Sequence, residues 1–144
     1  MVAPPMIYVP QLNDLLYNQV EVGAQNVSHH GEGPFTGNVN AKQLSDMDVP
    51  WAIVGHSERR MIMGESVDDV AKKVKEAMRN GLKVIYCVSQ TAMDRDLGPE
   101  HTMNGMHNQL KALISHIHPQ QWVNIVIAYE PVWAYNKEFE SGQP

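Results

Sequence analysis

A histidine follows a short apolar segment at the point where the sequence turns polar. Residues 51–55 are too few for a helix and read as a strand, and His56 comes directly after them. If a helical turn begins at Ser57, the positive end of its dipole disfavours a second proton on the imidazole ring. The neutral ring could then donate a hydrogen bond to a carbonyl oxygen at the carboxyl end of a parallel strand, where barrel active sites lie. His56 is therefore a candidate electrophile.

A carboxylate stands at the end of a second apolar run. This run ends at Tyr129 and delivers Glu130, after which Pro131 forces an extended exit. Val132 and Trp133 are available to shield the carboxylate from water, which would make it a stronger base. A base and a neutral hydrogen-bond donor at one strand edge suit removal of a proton next to a carbonyl and its return to the adjacent carbon. The pair indicates an aldose–ketose isomerisation.

Both residues need a scaffold that brings strand ends together. Short runs rich in Val, Ile and Tyr alternate with segments of helical periodicity, which predicts parallel strands with helices outside them. The predicted strands are residues 20–25, 51–55, 82–87 and 123–129, and residues 2–3 could close an earlier one. The predicted fold class is α/β.

The clearest predicted helix covers residues 67–80. Its apolar residues recur at steps of three and four, and Lys72, Lys73, Lys75 and Glu76 lie outside that stripe. Ser66 is a suitable N-cap, and the pair at residues 80–81, Asn-Gly, suits a left-handed exit.

A second helix is predicted for residues 100–116. His118-Pro119 ends it, because proline disfavours a helical conformation at the residue before it. Weaker candidates are residues 13–17 and 41–47. The side chains that the second helix is expected to bury are Leu110, Leu113, Ile114 and Ile117.

Composition narrows the class of protein. The chain has 144 residues, a formal net charge of −5 and one cysteine, Cys87, which suits one domain over residues 1–144. No basic stripe is present, so nucleic acid is not an expected partner. No signal-peptide pattern or long apolar stretch occurs, so we expect neither secretion nor a membrane span. The single cysteine fits a reducing compartment, which favours the cytoplasm.

Three motifs together resemble triosephosphate isomerase: Gly55-His-Ser-Glu-Arg-Arg60, Gly64-Glu-Ser66 and Ala128-Tyr-Glu-Pro-Val-Trp133. The resemblance extends over nearly all of residues 2–134. It implies a partial TIM (β/α)8 barrel, in which about five parallel strands with outer helices match the family's strands two to six. On this interpretation the chain is a single, truncated barrel domain.

The resemblance implies roles for individual residues. His56 is the catalytic electrophile and Glu130 the base, with Ser57 and Glu58 as supporting groups. The implied substrates are dihydroxyacetone phosphate and glyceraldehyde 3-phosphate, which the family interconverts in glycolysis and gluconeogenesis. Neither a cofactor nor a metal is implied. The loop around Thr36 would reach into a partner's site and form a homodimer.

Several positions depart from the family pattern. No residue matches the first-strand lysine that attracts the anionic substrate, and residues 134–144 differ from the usual glycine-containing lid tip. Strands seven and eight, whose loops bind phosphate, have no counterpart. Asn38 stands where the third loop usually has Glu, and Cys87-Val-Ser-Gln90 replaces Cys-Ile-Gly-Glu. These departures predict weakened phosphate binding.

Two functions remain open from the sequence. The first is a triosephosphate isomerase. The second is a catalytically impaired chain that acts as a non-enzymatic interaction module or pairs with a full-length isomerase through the Thr36 loop. About five strands would leave two open sheet edges, so we also expect self-association.

Overall fold

A four-stranded parallel sheet organises the computed structural model, which describes residues 1–16 and 19–135. The strands are β1 (Gly23–Ala24), β2 (Trp51–Val54), β3 (Lys83–Gln90) and β4 (Ile125–Pro131), and they lie side by side in chain order. The predicted strand at residues 2–3 is an isolated parallel bridge from Val2 to Val22. The α/β prediction is confirmed, and the arrangement is consistent with part of a (β/α)8 barrel.

Helices separate the strands. They are α1 (Val9–Leu15), α2 (Ala41–Asp46), α3 (Ser57–Met61), α4 (Val67–Arg79), α5 (Ala92–Asp96), α6 (Pro99–Ile114) and α7 (Val132–Tyr135), with 3-10 turns at Met6–Tyr8 and Pro119–Asn124. Helix α1 begins earlier than the predicted 13–17, because Pro10 in its first turn presets the helical backbone. Residues 17 and 18 lie outside the described residues.

The ends of α4 follow the caps that the sequence indicates. The Ser66 side chain accepts a hydrogen bond from the Asp69 backbone N–H, and the Asp69 carboxylate accepts one from the Ser66 N–H. After the helix, Gly81 has a φ of 78°, a left-handed conformation in which a Cβ is unfavourable. The prediction of this helix is confirmed to within one residue.

One lysine of α4 departs from the prediction. Lys73, expected on the outside, is 5% exposed. Its ammonium donates to the Asn26 side-chain oxygen at 2.8 Å and pairs with the Glu65 carboxylate, which also binds Arg59. Burial lowers the pKa of Lys73, while Glu65 opposes that shift. These partners are distant in sequence or precede the helix, so the periodicity of α4 could not indicate them.

The core lies between the sheet and the helices α2, α4 and α6. Its largest fully buried side chains include Tyr86, Leu44 and Leu113. Of the residues predicted to be buried by α6 and its exit, Leu113 and Ile117 are buried, but Ile114 is 59% exposed. Ile114 is the residue after Leu113, so its side chain is rotated by about 100° around the helix axis. It therefore points away from the sheet.

Strand β4 is an apolar edge within the described residues. Val126, Ile127 and Tyr129 are 50%, 42% and 49% exposed, although runs of this kind normally pack on both faces of a parallel sheet. We expect the chain to self-associate through this edge as its concentration rises. Charged side chains on an edge strand oppose such pairing. The double variant Val126→Lys/Ile127→Lys should therefore stay monomeric at concentrations where the unmodified chain associates, as measured by light scattering.

Met103→Lys/Ile114→Lys is the matched control for that prediction. It adds the same two positive charges at exposed apolar residues of α6, away from the β4 edge. Equal suppression of self-association by the control and the β4 variant would show that net charge, and not the edge, determines it.

Candidate active site

His56 occupies the N-cap of α3. Its backbone is extended, and Gly55 before it has a φ of 77°, which turns the chain sharply out of β2. The Nδ1 atom accepts a hydrogen bond from the Glu58 backbone N–H at 3.4 Å. Because Nδ1 is the acceptor, the neutral ring carries its proton on Nε2. The sequence predicted His56 at the N-terminus of a helix, and the structure confirms that position.

Glu130 reaches the same place from β4. It is 9% exposed, and its two oxygen atoms have different partners. Oε1 lies 2.8 Å from His56 Nε2, and Oε2 accepts the Ser57 backbone N–H at 2.9 Å. The carboxylate is therefore largely removed from water and held by two N–H donors. The structure brings together the two residues singled out as electrophile and base, which are 74 positions apart in the chain.

The two residues predicted to support the pair contact it through their backbones. Ser57 is 3% exposed and contributes its N–H to Glu130. Glu58 contributes its N–H to His56, while its own side chain is 56% exposed. The Glu58 carboxylate lies 3.6 Å from His56 Nδ1, which is too long for a hydrogen bond.

A cleft opens beside His56. Its volume is about 680 Å³, and its lining includes several polar side chains besides His56. Those side chains are Gln25, Asn26, Asn38, Glu58 and Arg59. A small polar molecule in this cleft has access to the imidazole edge. Thr36 lies on the exposed loop next to this cleft.

Arg60 is a site residue that the sequence interpretation did not single out. Its Nε donates to the Gly55 carbonyl oxygen at 2.7 Å, and its Nη2 donates to the Cys87 carbonyl oxygen at 3.1 Å. One guanidinium thus joins the carboxyl end of β2 to the middle of β3. Its position four residues after His56, one helical turn along, is the signal that could have indicated it.

Cys87 packs behind the carboxylate. It is 3% exposed, and burial, together with the nearby negative charge of Glu130, raises the pKa of its thiol to about 12. Only the thiolate is nucleophilic, so this group is inert at neutral pH. Cys87 is therefore a packing residue beside Glu130.

Cys87 gives a direct test of the packing. We expect no reaction of the native chain with a thiol-specific disulfide reagent at pH 8, and one equivalent after denaturation, because the chain has one cysteine. Folding protects the protonated form, so its stabilising contribution is present below the ordinary pKa of 9.0 and is lost as pH rises toward about 12. Rapid labelling under native conditions, with the fold verified by circular dichroism, would contradict this environment.

Two further findings concern ligands and membranes. Among residues 1–16 and 19–135, no group of three or more His, Cys, Asp or Glu side chains is arranged to hold a metal ion. His29 and His30 lie against each other with ring centroids 3.9 Å apart. Within the same part of the chain, no helix has the length and apolar character needed to cross a membrane.

The predicted change of the lid segment falls mostly outside the structure. Helix α7 follows Pro131 and places Val132 in the interior at 2% exposure. Trp133 directs its indole N–H to Gln90 at 3.1 Å. Residues 136–144, where the sequence departs from the family's lid tip, lie outside the described residues.

Sequence comparisons agree with this geometry. The profile of the triosephosphate isomerase family matches residues 1–139. Relatives named triosephosphate isomerase include one from Coprinopsis cinerea, 42% identical over 93% of this chain and 53% of the relative. A cytosolic form from Oryza sativa subsp. japonica is 43% identical over 93% of this chain and 51% of the relative. A chloroplastic form from Secale cereale is 42% identical over 93% of this chain and 44% of the relative.

The chain thus spans about half the length of the curated relatives that it matches. The family profile nevertheless covers both the His56 motif and the Glu130 motif, which the fold brings to within hydrogen-bond distance of each other. The chain belongs to the triosephosphate isomerase family.

Proposed function

We propose that this site interconverts dihydroxyacetone phosphate and glyceraldehyde 3-phosphate, the reaction named for its relatives, as a step of glycolysis and gluconeogenesis. The observation that carries the proposal is the 2.8 Å contact between His56 Nε2 and Glu130 Oε1. This contact supports the proposal because it sets a hydrogen-bond donor beside a buried carboxylate, the two groups that the reaction needs. No cofactor is required for this chemistry.

In the proposed mechanism Glu130 carries a proton between the two carbons, and His56 serves the two oxygen atoms. The Glu130 carboxylate removes a proton from the carbon next to the carbonyl, and the electron pair of that C–H bond forms the enediolate. His56 Nε2–H donates to the oxygen on which negative charge develops. That oxygen takes the proton from His56 Nε2, and Nε2 takes one back from the hydroxyl on the adjacent carbon. The protonated Glu130 then returns its proton to the former carbonyl carbon, which completes the exchange of aldose and ketose. Before substrate binds, the two groups satisfy each other.

Ser57 and Glu58 position this pair. The Ser57 N–H fixes one carboxylate oxygen, so that the other remains directed toward His56. The Glu58 N–H occupies His56 Nδ1 and thereby keeps the ring proton on Nε2, where the substrate needs it. Both contacts are made by the backbone of α3, which is a rigid source of donors.

We further propose a homodimer formed through the loop around Thr36, in the cytoplasm. Support comes from the exposure of residues 32–38 and from their position beside the cleft that contains His56. The rice relative is named as cytosolic and the rye relative as chloroplastic. The single buried cysteine is compatible with the first of these compartments.

A second candidate is a non-catalytic module that pairs with another chain of the family. The observation in its favour is the exposed apolar edge of β4, which a second chain could cover. The family's phosphate-binding loops and first-strand lysine have no match in these 144 residues. Pairing would then use the Thr36 loop or the β4 edge.

One assay on the purified chain separates the two candidates. Glyceraldehyde 3-phosphate is supplied in deuterium oxide, and the appearance of dihydroxyacetone phosphate and of deuterium on its carbon is followed by NMR. A Glu130→Ala chain, purified in the same way, reports any contaminating isomerase of the host. Turnover that disappears in the variant supports the enzyme, whereas equal background rates in both preparations would exclude catalysis by this chain.

A further inference from the structure

Gln90 connects the two sides of the Glu130 segment. It lies at the carboxyl end of β3, is 8% exposed, and uses its side-chain oxygen as a double acceptor. That oxygen accepts the Tyr129 hydroxyl and also the Trp133 indole N–H, the latter at 3.1 Å. Tyr129 is the residue before Glu130, and Trp133 is the third residue after it. One amide oxygen therefore holds the chain on both sides of the carboxylate.

Thr102 fixes the orientation of this amide. The Gln90 side-chain N–H donates to Thr102 Oγ1 at 2.9 Å, and Thr102 Oγ1 donates to the Asp94 carbonyl oxygen at 3.0 Å. An indole N–H can donate but cannot accept, so a flipped amide would set two donors against each other. The direction of hydrogen bonding therefore runs from Trp133 and Tyr129 through Gln90 and Thr102 to the α5 backbone.

The backbone pairing ends where this side-chain network begins. In the register of β3 and β4, Ser89 lies opposite Glu130 and Gln90 opposite Pro131, which is the last pair of the ladder. After Pro131 the chain enters α7, and among the described residues no further sheet pairing holds it. Trp133 is held from its face as well, since the Arg95 guanidinium lies 4.0 Å from the ring centroid.

We propose that Gln90, oriented by Thr102, is a positioning residue that keeps the Glu130 carboxylate directed at His56. This inference rests on the proposed isomerase function only for its effect on rate. The positional effect itself is a property of the folded chain. Because an amide does not titrate, Gln90 keeps its own donor and acceptor at every pH at which the chain is folded.

Three variants test the proposal. Gln90→Leu removes both the acceptor and the donor with little change in volume, Gln90→Glu keeps an acceptor for Tyr129 and Trp133, and Thr102→Val removes the group that orients the amide. Gln109→Leu is the matched control. Gln109 also bonds the end of β3, through the Ser89 N–H and carbonyl oxygen, but it has no bond to Tyr129 or Trp133.

The main measurements are the Trp133 indole and the His56 ring signals in ¹⁵N NMR spectra. We expect Gln90→Leu to move the indole signal to a solvent-like position, to speed its hydrogen exchange and to shift the His56 signals. Thr102→Val should give a smaller change of the same kind. Gln90→Glu and Gln109→Leu should both leave the indole signal close to its position in the unmodified chain. Where the chain turns over, Gln90→Leu should lower kcat on the order of 10-fold to 10²-fold with little change in KM.

The readouts keep the two proposals apart. Absence of turnover by the unmodified chain contradicts the proposed function, while the NMR comparison still decides the role of Gln90. Unchanged Trp133 and His56 signals in Gln90→Leu would overturn the positioning role. Equal shifts in Gln109→Leu would also overturn it, because the effect would then be a general one of loosening β3. If Gln90→Leu does not fold, the comparison of Thr102→Val with Gln109→Leu gives the decision.

Discussion

Glu130→Gln is expected to reduce isomerase turnover by about 10²–10⁴-fold, the range in which a general base contributes, while the chain stays folded. Glutamine keeps an oxygen that can accept the Ser57 N–H, which Glu130 Oε2 now accepts at 2.9 Å. Its amide cannot take up a proton from carbon. The measurement is the steady-state rate with glyceraldehyde 3-phosphate, together with the denaturation midpoint as a check on folding.

The matched control is Glu100→Gln, which makes the same substitution at an exposed position in the first turn of α6. The Glu100→Gln chain should turn over at the rate of the unmodified chain, because Glu100 does not contact His56 or Glu130. A Glu130→Gln chain that retained most of the activity would mean that another group removes the proton. His56 is then the first residue to examine, because its Nε2 lies 2.8 Å from Glu130 Oε1.

The position of the site was predictable because it depends on strand ends. Parallel strands end on one side of a sheet, so His56 after β2 and Glu130 at the end of β4 converge without any knowledge of their contacts. The boundaries of α4 were predictable for a local reason, since the Ser66 cap and the Gly81 exit act within one turn of the helix. Each of these signals is complete within a few residues of sequence.

The residues that the sequence did not indicate depend on long-range partners. Lys73 is buried because Asn26 and Glu65 receive its ammonium, and neither residue belongs to α4. Gln90 stood out only as a departure from the family's glutamate, and its function as an acceptor for Trp133 depends on how β4 returns beside β3. Such contacts are fixed by tertiary packing, which periodicity and capping patterns do not report.

Gly55→Ala is expected to destabilise the chain by about 2–5 kcal/mol, the combined range for a left-handed alanine and an overpacked site. Gly55 has a φ of 77°, and a Cβ built on it would lie 2.7 Å from Val70 Cγ1 and 2.6 Å from Arg60 Nη2. Displacing Arg60 would also strain its bonds to the Gly55 and Cys87 carbonyl oxygens. The measurement is the free energy of unfolding from urea denaturation.

Gly81→Ala separates the two causes of that loss. Gly81 has nearly the same φ, 78°, but an added Cβ meets nothing within 4 Å. It should therefore show only the backbone cost of about 1–2 kcal/mol, and the difference between the two variants measures the steric clash with α3 and α4.

Since Gly55 directly precedes His56, the clash should also displace the imidazole, so Gly55→Ala is expected to alter the His56 NMR signals where Gly81→Ala does not. Equal losses of stability in the two variants would show that the contacts of Gly55 with Arg60 and Val70 relax without cost, and that the turn alone requires glycine.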